Sequence, residues 1–219
     1  MEQLLRVALL DSDTDVRTGR RMLISSLPNV EIVLDSTGEE NDLLSVANGL
    51  VDVLVIDQRL ASGPGVDFYA LLRSEMGIEQ APGCLITAAF DQPALTLSAF
   101  EIGVDHVVSI ENGPEALLEA IEQVRAGESG VSLDTLHALI TTQAIKQKLD
   151  LDLVNLIEQL PEKLASNLRR LRSVWIKASP NQLKDFSMAN LDGLVSRLPV
   201  RTAAELVIKA ERTGLLSVE

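Results

Sequence analysis

The chain has 219 residues, 46% hydrophobic and 23% charged, enough for one large domain or two small ones with real cores. Its net charge is −13, it has one cysteine, and no apolar run approaches the ~18 residues of a membrane span. An internal disulfide framework and a membrane-spanning helix are thereby excluded. The opening MEQLLRVALLDSD reaches acidic residues too soon for a signal peptide, so a cytoplasmic protein is expected. Cys84 sits in the apolar run CLITAA and reads as a buried small hydrophobe.

Along the first 126 residues, short apolar runs alternate with helical patterns five times. The strand-like runs are 4–11, 30–35, 51–57, 83–88 and 104–110. They are nearly continuous, as parallel strands buried on both faces require. Helical stretches lie near 14–27, 38–49, 66–76, 92–102 and 113–126. Strand–helix alternation through short loops predicts right-handed βαβ units and a doubly wound α/β sheet of order 2-1-3-4-5, with ligands at the carboxyl ends of the strands. After AGESG at 126–130 the strand signals stop. A helix is predicted from Leu133, with Ser132 as its N-cap, then a second over about 151–159. Pro161 suits the first turn of a third, running to about Lys177. Shorter helices, broken near Pro180 and Pro199, complete an all-α C-terminal part.

Charge divides the chain at nearly the same place. Residues 1–150 carry 24 acidic and 9 basic side chains, while 151–219 carry 8 acidic and 10 basic. The asymmetry favours two domains, read as 1–128, a helical linker 129–160, and 161–219.

Three residues that can do chemistry fall at strand ends. Asp11 ends the first strand, Asp57 the third, and Thr87 lies near the end of the fourth. A carboxylate can accept a phosphoryl group when a divalent cation neutralises the crowded oxygens, and Mg²⁺ uses one or two carboxylates plus waters and phosphate. A hydroxyl beside the acceptor can bond the new phosphoryl. His106 and His137 lack any metal-ligand spacing and read as surface or helix-packing residues. GPG at 63–65 is a turn, without a Walker or Rossmann glycine pattern. No nucleophile–base pairing stands out, and nothing indicates an enzyme.

The segments VALLDSDTDVRTGRRML, VDVLVIDQRLASGPGVDFYALLR and AFEIGVDHVVSIENGPEALLEAIEQVRAGES resemble the receiver domains of two-component response regulators, of flavodoxin/CheY-like fold, across residues 5–130. The resemblance implies Asp57 as phosphoacceptor and a Mg²⁺ site built from Asp11, Asp57 and the Arg59 carbonyl. It makes Thr87 the switch hydroxyl and Gly65 the glycine that tightens the loop after the acceptor. The departures are equally specific. The second acid at the end of strand one is replaced by Ser12. Asp13 lies one residue further on, where its side chain should point elsewhere unless a loop brings it near. The phosphoryl-binding lysine falls on Ile110 and the aromatic switch position on Val107. Residues 1–145 contain no lysine, and no arginine lies between Arg73 and Arg125. Each missing charge-assisted bond normally contributes ~1.5–3 kcal/mol, so a receiver that is not efficiently phosphorylated is expected.

The tail LVSRLPVRTAAELVIKAERTGLL and the upstream LRRLRSVWIKASPNQLKDF resemble the helix-turn-helix domain of LuxR/NarL-type regulators, with Pro199 where that family has glycine. This resemblance implies a recognition helix over about 187–198 and a homodimer formed through the last helix. Ser187, Met188 and Asn190 would face bases, while Arg197, Arg201 and Thr202 would touch phosphates. Asp192 and Gly193 are poor choices for a DNA face. The expected function is an atypical, DNA-binding response regulator, with a histidine kinase or another protein as a further partner. A receiver-based protein–protein adaptor and a conventional Asp57 phosphoswitch are the alternatives.

Overall fold

The structure is a computed structural model that describes residues 4–89, 91–128, 130–143, 151–177, 191–213 and 215–216. It divides into two compact units, one of residues 1–92 and 104–130, the other of 93–103 and 131–219.

The first unit is built on five parallel strands: β1 (Leu5–Leu10), β2 (Val30–Ser36), β3 (Val53–Asp57), β6 (Gly83–Ala88) and β7 (His106–Ser109). Two-residue strands β4 (Arg59–Leu60) and β5 (Gly63–Pro64) form a small antiparallel hairpin after β3. The main sheet runs β2-β1-β3-β6-β7, the predicted doubly wound order once that hairpin is left out. Central strands β1, β3 and β6 are buried almost continuously, whereas edge strand β2 alternates half-buried and exposed residues. This difference follows from position: a central strand is covered on both faces, an edge strand only partly.

Helices α1 (Thr14–Ile24) and α5 (Pro114–Ala126) cover one face, where Ile24, Leu117 and Ile121 pack on Val7, Leu9, Val55 and Leu85. On α2 (Glu40–Asn48) and α3 (Gly65–Met76), which pack on each other, Val46, Phe68, Tyr69 and Leu72 are buried. Tyr69 is fully buried, and its hydroxyl donates to the Pro82 carbonyl at 3.0 Å, so the ring fills the core without an orphaned polar atom.

Helix α4 (Pro93–Glu101) links β6 to β7 along the chain, yet by packing it belongs to the second unit. Its Leu97 and Phe100 share a core with residues of α6 (Leu133–Gln143), α8 (Glu162–Lys177) and α10 (Ala203–Arg212). The remaining helices are α7 (Leu151–Glu158) and the four-residue α9 (Asp192–Val195). Ser132 caps α6 as expected, its Oγ accepting from the Thr135 N–H at 3.1 Å. In the same unit, His137 stacks edge-on to Trp175 with ring centroids 4.7 Å apart, the helix packing expected of it.

Two expectations need correction. His106 is neither a surface nor a helix residue: it is buried in β7, and burial pushes its imidazole pKa down. The expected recognition helix is, within its described part, only α9 followed by a turn. Its hydrogen bonds end with Leu198 N–H to Leu194 O at 3.1 Å, because the residue before Pro199 is sterically biased away from helical geometry. Residues 187–190 and the break expected at Pro180 lie outside the described residues. Among the described residues, no helix is long and apolar enough to cross a membrane.

Candidate functional site: the acidic pocket at the strand ends

Parallel register brings the pocket together. Leu10 of β1 pairs with Ile56 of β3, so Asp11 emerges beside Asp57; Asp57 itself pairs with Thr87 of β6. The Thr87 hydroxyl donates to Asp57 Oδ2 at 3.1 Å, with the Ile56 carbonyl at 3.4 Å as its other acceptor. The backbone N–H of Arg59 donates to Asp57 Oδ1 at 3.0 Å. The loop after Asp57 returns so closely that a Cβ on Gly65 would lie 2.3 Å from the Asp57 carbonyl oxygen. Only glycine permits that approach, which is also held by Gly65 N–H to Gln58 O at 3.0 Å.

The cation in this pocket comes from α1. Arg20 projects from the buried stripe that also carries Ile24, and its Nη1 donates both to Asp11 Oδ2 and, at 3.0 Å, to Asp57 Oδ2. All three side chains are largely withdrawn from water, with exposures of 8% for Arg20, 2% for Asp11 and 13% for Asp57. Burial is the largest influence on Asp11 and raises its pKa; the Asp13 N–H at 2.8 Å and the Arg20 charge oppose the rise. Arg17 supports the same turn, donating from Nη1 to the Asp11 carbonyl at 2.6 Å and from Nε to Asp35 at 2.8 Å.

The groups that the receiver resemblance assigns to a divalent cation are otherwise engaged. Ser12 Oγ donates to the Arg59 carbonyl oxygen at 3.1 Å. Asp13 is the N-cap of α1, its Oδ1 accepting from Asp15 N–H at 3.0 Å and Val16 N–H at 3.1 Å. That role orients its carboxylate along the helix start, and the described contacts do not direct it to Asp11 and Asp57. With a guanidinium between the two remaining carboxylates, this donor set does not fit a divalent cation. Ile110 follows β7 in a 3-10 turn and is 51% exposed, while Val107 is half-buried in the strand.

Sequence reasoning overlooked Arg20. The segment around Ile110 holds no replacement cation, whereas the charge arrives from α1, from an arginine 37 residues before Asp57. One signal was available: an arginine four residues before Ile24 stands on the stripe α1 turns to the core, and such a residue is rarely buried without an acidic partner.

In the second unit, Ser187, Met188 and Asn190 fall outside the described residues. Arg197 is exposed just after α9. The Arg201 N–H donates to Glu205 Oε2 at 2.8 Å, and Thr202 is the N-cap of α10, its Oγ1 accepting from Glu205 N–H at 3.1 Å. Glu205 is buried and paired with Lys209 at 2.7 Å, so Thr202 and Glu205 together secure the start of α10.

No family model matches the sequence. The nitrate/nitrite response regulator protein homolog of Haemophilus influenzae is 28% identical over 129 residues, 58% of this chain and 60% of that protein. The match therefore spans less than two thirds of that relative. A LuxR-family two-component response regulator from Aurantimonas sp. SI85-9A1 superposes with a TM-score of 0.56 at 26% identity, covering 64% of this chain and 98% of that one. The chain is thus similar, in sequence over part of its length and in fold, to response regulators of the LuxR/NarL family. The RcsB response regulator of Salmonella typhimurium, at 14% identity, shares the fold over 98% of this chain and 94% of its own, with a TM-score of 0.55. Against this response-regulator background, Arg20, Ser12 and Ile110 are the features to be explained.

Proposed function

We propose that this response regulator is a cytoplasmic, DNA-binding transcription regulator, acting as a homodimer, whose receiver works without conventional phosphorylation of Asp57. The single observation that carries the reading is the state of the acceptor carboxylate. One oxygen of Asp57 accepts from the Arg59 N–H, and the other accepts from both Arg20 and Thr87. A nucleophile needs a free lone pair facing the donor, and an incoming phosphoryl brings about −1.5 to −2 charge. Here Ile110 stands exposed where a lysine would meet that charge, and Ser12 replaces the second acid. On this reading residues 1–128 are the receiver-like input, 129–160 the linker and 161–219 the helix-turn-helix output.

The receiver scaffold then serves assembly or a different signal, while Arg197 and Arg201 contribute phosphate contacts and Ser187, Met188 and Asn190 face bases. An adaptor without sequence-specific DNA binding is the second reading; it is favoured by Asp192 and Gly193 in the described part of the recognition segment. Selection of bound DNA from a random pool, repeated across salt concentrations, separates the two. A sequence-specific complex with a steep salt slope supports the regulator, and weak sequence-independent binding supports the adaptor. The same assay with Mg²⁺ and a small phosphodonor tests the receiver. A phosphoprotein band abolished by Asp57→Ala would overturn phosphorylation-independence.

A further inference from the structure

We infer that Arg20 is a resident cation: its guanidinium occupies the position between Asp11 and Asp57 and closes this pocket to divalent metal. The inference deepens the proposed reading of the receiver but concerns cation binding, which is measurable whether or not Asp57 is ever phosphorylated.

Two carboxylates that converge at the end of a parallel sheet repel one another unless a positive charge lies between them. Arg20 supplies it from a single nitrogen, Nη1, shared between Asp11 Oδ2 and Asp57 Oδ2. A guanidinium suits the task because it stays charged at every relevant pH and is less strongly hydrated than an ammonium, so burying it is less unfavourable. The position is built into the fold. Arg20 lies on the core-facing side of α1, four residues before the fully buried Ile24, and is itself buried.

The surrounding donors agree. The Arg59 carbonyl accepts the Ser12 hydroxyl, and the Asp13 carboxylate is spent on the helix N-cap. A metal ion would have to expel a covalently tethered cation and also recruit donors already bonded elsewhere. An ordinary structural ion pair would leave cation binding unchanged on its removal. A resident cation predicts that its removal opens the site, since Asp11, Asp57 and the Arg59 carbonyl remain in place.

The test uses the full-length protein and Mn²⁺ as the probe, with free Mn²⁺ followed by electron paramagnetic resonance. Asp57→Asn controls remove the contribution of surface acids in a chain of net charge −13. Wild type is expected to show no Asp57-dependent Mn²⁺ binding. Arg20→Ala is expected to bind at least about tenfold more tightly than wild type, a gain abolished in Arg20→Ala/Asp57→Asn. Arg20→Lys, which keeps the charge, is expected to exclude Mn²⁺ as wild type does. Asp57-dependent binding by wild type overturns the inference, as does a folded Arg20→Ala protein that gains none. Should Arg20→Ala not fold, the wild-type and Arg20→Lys titrations decide, and binding by either overturns it. A phosphoprotein formed by a wild type that still excludes Mn²⁺ would remove the phosphorylation-independent reading and leave this inference standing.

Discussion

Replacing Arg20 by methionine keeps an unbranched apolar stem on α1 but removes the charge from between Asp11 and Asp57. At 3.0 Å, the Arg20–Asp57 contact alone represents a gross attraction of roughly 5 kcal/mol at an effective dielectric of 20. Desolvation of the guanidinium offsets much of that in the wild type, so the pair is a poor guide to net stability. The variant keeps the carboxylate cost and loses the compensation. Removing one partner of a buried pair typically costs ~3–5 kcal/mol. Because Asp57 retains 13% exposure and can draw on water, the lower end is expected, about 3 kcal/mol. Native-state hydrogen exchange read by mass spectrometry localises the effect to the first unit. Peptides covering β1 and β3 should exchange roughly 100-fold faster in Arg20→Met. Adding Asp57→Asn should recover about 1–2 kcal/mol, since one uncompensated charge is gone, whereas Asp57→Asn alone should cost less than about 1 kcal/mol. An Arg20→Met protein within about 1 kcal/mol of wild type, or one that Asp57→Asn fails to rescue, refutes the argument that Arg20 neutralises both carboxylates.

Gly65→Ala forces a Cβ against the Asp57 carbonyl oxygen, so the loop after β3 must move; urea unfolding should show a loss of about 1–3 kcal/mol, and an unchanged midpoint would mean the loop yields freely. Asp13→Ala removes the N-cap of α1 and should cost about 1 kcal/mol; a new Asp57-dependent change in Mn²⁺ binding in this variant would show that Asp13 serves the pocket instead. His106 is held below the ordinary imidazole pKa by burial, so below about pH 6.5 the unfolded chain takes up a proton that the folded chain does not. Its contribution is present above that pH and is lost as pH falls, by up to ~1.4 kcal/mol per pH unit. Urea midpoints for His106→Phe at neutral and mildly acidic pH should therefore differ less than those of wild type, and an equal difference would assign the pH dependence to other groups.

The local signals in this chain are strong wherever a single physical rule dominates. Short, near-continuous apolar runs bounded by turn signals suit strands covered on both faces, and for this reason β1, β3 and β6 were legible with their ends nearly in place, whereas the run of β2 proved to be a half-exposed edge strand. Asp11, Asp57 and Thr87 followed, because strand-end residues of adjacent parallel strands must converge whatever the helices do. Ser132 was legible as a cap for the same kind of reason: its hydroxyl meets an N–H three residues away. The recognition segment was harder. The family resemblance implied a helix running to Leu198, but in the described part the helical geometry of α9 stops at Val195, ahead of the expected break at Pro199.

What the amino-acid order determined alone is thus the alternating α/β framework, the strand-end placement of Asp11, Asp57 and Thr87, and the absence of any lysine before Lys146. What tertiary structure decided is where charge compensation comes from. Arg20 is remote from Asp57 in sequence, and only the docking of α1 on the sheet brings its Nη1 within 3.0 Å of that carboxylate. Tertiary packing likewise made His106 a core residue and joined α4 to the C-terminal helices through Leu97 and Phe100. Periodicity reports which face of a helix is apolar, but not which neighbour that face will meet. A buried charge is tolerated only where its partner waits, and that partner is chosen by the fold as a whole.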